Sequence, residues 1–184
     1  MADQGELADD FVDEDVEDYE DLDDLEDATK SDIDFTVGLY REDGQPIAVA
    51  LVLDTANDLD ELIEQLRRLP GDSGALGVVS IAGEFFVLCR VRGRNVQALL
   101  SDSGSSLDWP LARDVAEYLG LDAPDEEDDS EVWGDLDLLS DWSISDFDLE
   151  NIAGSDDDSA VLARQLVEKL RFAAQFDRAV ASFR

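Results

Sequence analysis

Acidic residues are segregated along this chain, and their segregation decides which parts of it can bury a core. Residues 1–34 carry 17 Asp and Glu against a single lysine, Lys30, and residues 122–158 carry 16 with no Lys or Arg. Segments of that kind offer too little apolar surface to offset the entropy of ordering their backbone. The first is expected to be an acidic disordered tail. The second, bounded at residues 122–156, is expected to be an acidic linker with aromatic spots at Trp133, Trp142 and Phe147. Between them, residues 35–121 hold the patterned apolar positions of a folded domain. Residues 157–184 read as a C-terminal amphipathic helix with Leu162, Leu166, Leu170, Phe176, Val180 and Phe183 near one side.

Inside the central segment the periods switch in an orderly way. Phe35, Val37 and Leu39 alternate with other residues, and after Glu42-Asp43-Gly44-Gln45-Pro46 the alternation resumes at Ile47, Val49, Leu51 and Leu53, which describes a hairpin. Leu59, Leu62, Ile63 and Leu66 then recur at helical spacing, with Asn57 placed to cap and Pro70-Gly71 to stop. Three further strands, over 76–81, 84–92 and 95–101, are joined by Ala82-Gly83 and by Gly93. A second helix follows, with Asp108 as its cap, Pro110 in its first turn and Leu111, Val115 and Leu119 as its buried stripe. The expected fold class is α+β: a five-stranded antiparallel sheet in ββαβββα order with helices packed on one face. Profilin-like and roadblock-like sandwiches have a similar element order, an analogy of pattern that carries no function.

Composition excludes several function classes. The chain has 48 Asp+Glu against 13 Lys+Arg, a formal net charge of −35, so its field repels nucleic-acid backbones and direct nucleic-acid binding is not expected. It has no histidine and one cysteine, Cys89, which rules out a Ser-His-Asp triad, a Cys-His pair, an intrachain disulfide and a Cys/His zinc site. No phosphate loop is present, and no cofactor or metal is expected. Asp146, Asp148 and Glu150 alternate as in a calcium loop, but Asn151 stands where that loop needs glycine and Asp157 where it needs glutamate. The N-terminus lacks the basic start and apolar run of a signal peptide, and no stretch is apolar enough to span a membrane, so a cytoplasmic protein without membrane contact is expected.

Two places stand out as candidate interaction sites. In "LCRVRGRNV", Arg90, Arg92 and Arg94 fall within five residues, with Arg90 and Arg92 on the strand face opposite Phe85, Val87, Cys89 and Val91. They read either as a docking patch for acidic groups, including this chain's own tails, or as a solvated strand face. In "LLSDSGSSLDWPLARDV", Asp102, Asp108, Trp109 and Arg113 form a polar loop entering a helix, readable as a recognition corner or as capping and indole packing.

The run from "LPGDSGALGVVSIAGEFFVLCRVRG" through "LLSDSGSSLDWPLARDV", preceded by "DFTVGLYREDG" and followed by "GDLDLLSDW" and "FDRAVASF", resembles the tRNA adenosine deaminase-associated protein family of actinobacteria over about residues 34–184. The resemblance supplies no catalytic residues. It implies a non-catalytic accessory role, with a tRNA adenosine deaminase or another basic protein as partner. The chain itself cannot be such a deaminase, because that chemistry needs an H-x-E helix and a P-C-x-x-C turn around zinc. The acidity adds one physical version of the accessory role, in which acidic segments mimic nucleic acid on a basic partner. The other class open at this point is a small adaptor domain with solubilising tails.

Overall fold

The computed structural model describes residues 25–183. The expected acidic tail therefore lies outside the described residues up to position 24. Residues 25–34 lie within them. Ala28 is buried there and exchanges hydrogen bonds with Asn57, whose Oδ1 accepts from the Ala28 N–H at 2.7 Å and whose Nδ2 donates to the Ala28 carbonyl at 3.1 Å.

The sheet is antiparallel and six-stranded: β1 (Ile33–Glu42), β2 (Gln45–Ala50), β3 (Ala75–Ile81), β4 (Phe85–Arg92), β5 (Asn95–Leu100) and β6 (Trp133–Gly134), in spatial order β2-β1-β3-β4-β5-β6. Five strands were expected. The sixth is only two residues long, pairing Leu99 with Gly134 and Leu100 with Trp133, too short to show a period. The β1–β2 hairpin closes on Asp43 and Gly44, with φ of 52° and 78°. That pair of left-handed residues matches the twist of the flanking strands and suits a glycine.

Five α-helices occur among the described residues: α1 (Leu59–Arg67), α2 (Pro110–Tyr118), α3 (Asp146–Ala153), α4 (Ser159–Lys169) and α5 (Ala173–Ala181). The N-cap of α1 is Asp58, which accepts from the Glu61 N–H, because Asn57 is engaged by Ala28. The N-cap of α2 is Trp109 without a side-chain bond, so Asp108 does not cap it as expected. The expected single C-terminal helix is broken in two. Arg171 takes a left-handed conformation at φ 70°, Arg41 donates to the orphan Leu170 carbonyl at 2.8 Å, and Phe172 turns into the core.

Helices cover both faces of the sheet, not one. On one face Val79, Phe85, Val87, Cys89 and Leu100 pack with Leu62 of α1 and with Leu111 and Val115 of α2. On the other, Phe35, Leu39, Val78, Phe86, Leu88 and Leu99 meet Leu166 of α4, Phe176 of α5 and residues from 138 to 153. The stretch expected as a linker is thus part of the core: Leu138, Leu139 and Leu149 are fully buried, and Trp142 and Ile144 nearly so. Its acids lie on the exposed side apart from Asp141, whose carboxylate turns in to Arg90, and its apolar residues help to roof the second face.

Candidate interaction surfaces

The three arginines of "LCRVRGRNV" do three different things. Arg90 is 1% exposed and holds β4 against the 138–142 segment. Its Nη1 donates to Asp141 Oδ1 at 2.9 Å and to the Leu138 carbonyl at 3.0 Å, while Nη2 donates to Asp141 Oδ2 at 2.9 Å and to the Ser73 carbonyl at 2.7 Å. The guanidinium lies 3.9 Å from the centre of a Trp142 ring, and the Trp142 indole N–H donates to Ser73 Oγ at 3.0 Å. The solvated-face reading of Arg90 fails because a layer from residues 138–153 and the C-terminal helices covers the face on which it stands, and the acid it holds is this chain's own Asp141, from the second acidic stretch. It is an interior clamp.

Arg92 is half-exposed, 3.5 Å from Asp141 and donating to Gln97 Oε1, and Arg94 is exposed in the β4–β5 turn. Arg41 completes the cluster, its guanidinium 4.8 Å from the rings of both Trp142 and Phe172. Burial lowers the Arg41 pKa, and the neighbouring Arg90 charge lowers it further. At Asp141 burial raises the carboxyl pKa, but the hydrogen bonds and charge of Arg90, with help from Arg92, outweigh it and hold the group below the usual carboxylate range.

The second candidate group lies at the opposite end of β4, where Glu84 is six residues from Arg90, about 20 Å at about 3.3 Å per strand residue. There the Trp109 indole donates to Glu84 Oε2 at 2.9 Å and its ring centre lies 6.3 Å from that of Phe85. Asp102 accepts from the Gly104 N–H at 2.9 Å, Asp108 is exposed, and Arg113 Nε donates to the Ser106 carbonyl at 3.3 Å. Asp102 also lines a hollow of about 260 Å³ with Glu84, Glu131, Asp156 and Asp157, and no Lys or Arg is among its lining residues. This acid-walled end, together with the outward acids of residues 122–158, presents a cation-attracting surface. Sequence reasoning passed over Glu84 and Glu131, which reach it from different parts of the chain, and over Asp141 and Arg41 at the clamp. The one signal for the clamp was Trp142 flanked by an acid in "LLSDWSI".

No group of three or more His, Cys, Asp or Glu side chains among the described residues is arranged to hold a metal ion. Asp146 and Asp148 sit in the first turn of α3, where the helix dipole favours them, and not in a calcium loop. Cys89 is buried, and burial pushes its thiol pKa up to about 12. The folded protein is expected to resist a thiol-specific reagent at pH 8 and to react stoichiometrically once denatured. Rapid labelling of the native state would contradict this placement of Cys89.

These surfaces lie within a region of recognisable kinship. Residues 34–173 match the family described as Rv3753c-like tRNA adenosine deaminase-associated protein. The chain belongs to that family. Protein Rv3753c of Mycobacterium tuberculosis (strain ATCC 25618 / H37Rv) is 30% identical to it over 110 residues, 58% of this chain and 64% of the relative. The chain therefore spans less than two thirds of that relative's length. No solved structure matches it. The family region takes in the Arg90–Asp141 clamp, the acid-walled end and the first four helices, so both faces of the sheet belong to the shared unit. No helix among the described residues is long and apolar enough to cross a membrane.

Proposed function

We propose that this family member is a non-catalytic accessory protein that binds a tRNA adenosine deaminase through its acidic surface, occupying the basic face on which the enzyme takes tRNA. The observation that carries the reading is the acid-walled end: five carboxylates from four segments of the chain around one hollow, in a chain of net charge −35 whose family is described by association with that enzyme. Such a surface acts on encounter rate and orientation more than on intrinsic affinity, so it suits reversible regulation. Binding to the deaminase, measured by titration calorimetry, is expected to weaken by about tenfold or more between 50 and 500 mM salt.

A second reading has its own observation. Phe147, on the first turn of α3, is 73% exposed between Asp146 and Asp148. An adaptor that docks through an aromatic anchor in a partner's pocket would show weak salt dependence and would lose binding on Phe147→Ala. The two readings separate on that pair of results.

A further inference from the structure

The two edges of the sheet are built differently. β6 is two residues long and followed at once by Asp135, a short, charged edge of the kind that discourages pairing. At the other edge, the nine residues from Gln45 to Leu53 contain no charge, in a chain with 48 Asp+Glu. The backbone register fixes which groups this edge presents. Glu42 faces Gln45 across the two-residue turn, and the Leu51 N–H donates to the Thr36 carbonyl at 2.9 Å, so Gln45, Ile47, Val49 and Leu51 pair inward with β1. The N–H and C=O groups of Ala48 and Ala50, and the N–H of Val52, then point outward, and the strand's own side chains at the first two are alanine methyls.

Pro46 and Val52 narrow the choice of what this edge accepts. Pro46 has no N–H to offer outward. The Val52 carbonyl is already used twice, by the Thr55 N–H at 3.1 Å and the Thr55 hydroxyl at 2.7 Å. If two copies of β2 meet antiparallel with Val49 on the two-fold axis, Ala48 of each faces Ala50 of the other and they exchange both bonds. Pro46 then faces Val52, so the one missing donor lies opposite the one carbonyl that needs none, while the Val52 N–H reaches the free Pro46 carbonyl. Placing Ala48 on the axis instead would set Pro46 against the Ala50 carbonyl and leave that carbonyl without a donor. Val52 is 51% exposed in one copy. In the pair it lies over the hollow of about 370 Å³ that Pro46, Ile47, Ala48 and Ala50 form with Gln175, Arg178 and Ala179 of α5, so the one cation among its lining residues comes from the helix and not from the strand.

We infer that β2 pairs with β2 of a second copy about a two-fold axis at Val49, joining two six-stranded sheets into one. Charge opposes this association: the chains carry −35 each, and Asp43 of one copy lies near Asp54 of the other in this register. The dimer is therefore strengthened by added salt, the reverse of the sign expected for deaminase binding, and the inference stands apart from that reading.

Sedimentation equilibrium of the full chain across concentration, in 50 and 500 mM salt, tests it. The expected result is a species of twice 20.2 kDa, favoured at the higher salt. Ala48→Pro removes two outward bonds from the symmetric pair while leaving the β1 side of the strand untouched, and is expected to weaken dimerisation about 30-fold. Val52→Lys, at an exposed site, provides a second variant should the proline disturb the fold, and is expected to lower the dimer fraction with an unchanged circular dichroism spectrum. A wild-type chain that stays monomeric in high salt would overturn the inference. So would dimers that both variants leave intact, or a monomer whose Ala48→Pro variant loses only deaminase binding, which would give the edge to a partner strand.

Discussion

A chain ending at Leu121 is expected not to fold, although residues 33–121 contain five of the six strands and two of the five α-helices described. Removing residues 122–184 uncovers the face that bears Phe35, Leu39, Val78, Phe86, Leu88 and Leu99, each at most 4% exposed in the whole chain. At about 1.5–3 kcal/mol for each large apolar side chain taken from burial to water, those six alone account for about 9–18 kcal/mol. The whole stability of a domain is about 5–15 kcal/mol. Far-UV circular dichroism and dye binding to exposed apolar surface check this: the fragment should lack a cooperative thermal transition. A fragment melting cooperatively near the full-length temperature would show that the C-terminal layer is an accessory to the core and not half of it.

Replacing Asp141 by alanine is the point substitution with the largest expected cost, about 3–5 kcal/mol by denaturant titration, because it leaves the Arg90 guanidinium buried without its counter-ion. Trp142 and the Leu138 and Ser73 carbonyls still contact Arg90, but none of them carries a negative charge. The sign of the pH effect follows from the carboxyl being held below its ordinary range. The clamp's contribution is present at pH values above the unfolded carboxylate range, about 3.9, and is lost as pH falls through the lower folded value. The wild type should therefore lose stability on the acid side faster than Asp141→Ala does, and the two curves should converge there. Parallel curves would mean that Asp141 does not titrate with the clamp.

The arginine motif also shows where sequence and structure part. Alternation along β4 assigned its two faces correctly, and the hairpins and both helices of the central segment followed from period and turn chemistry, but the helix caps did not, and the second strand stops at Ala50 where alternation had carried it to Leu53. Yet "FFVLCRVR" and "ALGVVSI" are nearly continuous apolar runs, the pattern of strands buried on both sides. Arg90 made one face look wet because its counter-ion lies 51 residues away in sequence, in a segment whose mean charge hides its apolar residues. Leu138, Leu139, Trp142, Ile144, Leu149 and Ile152 are enough to roof a sheet, although 16 acids share residues 122–158 with them. Averaged composition reports solvation of a segment's outer side, not the fate of its inner one. Glu84, Asp102, Glu131 and Asp156 come together only because β4 and β6 begin, and β5 and α3 end, at the same edge of the fold, which no local pattern encodes.

The acid-walled end as a stand-in for tRNA is tested most directly by competition. A tRNA adenosine deaminase saturated with this protein at low salt is titrated with its tRNA substrate while the bound fraction is followed by fluorescence anisotropy of labelled protein, with inosine formation measured in parallel. Mutual exclusion is the predicted result: tRNA displaces the protein, excess protein raises the tRNA concentration needed for half-maximal editing, and added salt weakens the protein's hold. A ternary complex in which tRNA and protein bind the enzyme together, with affinity indifferent to salt, would contradict it.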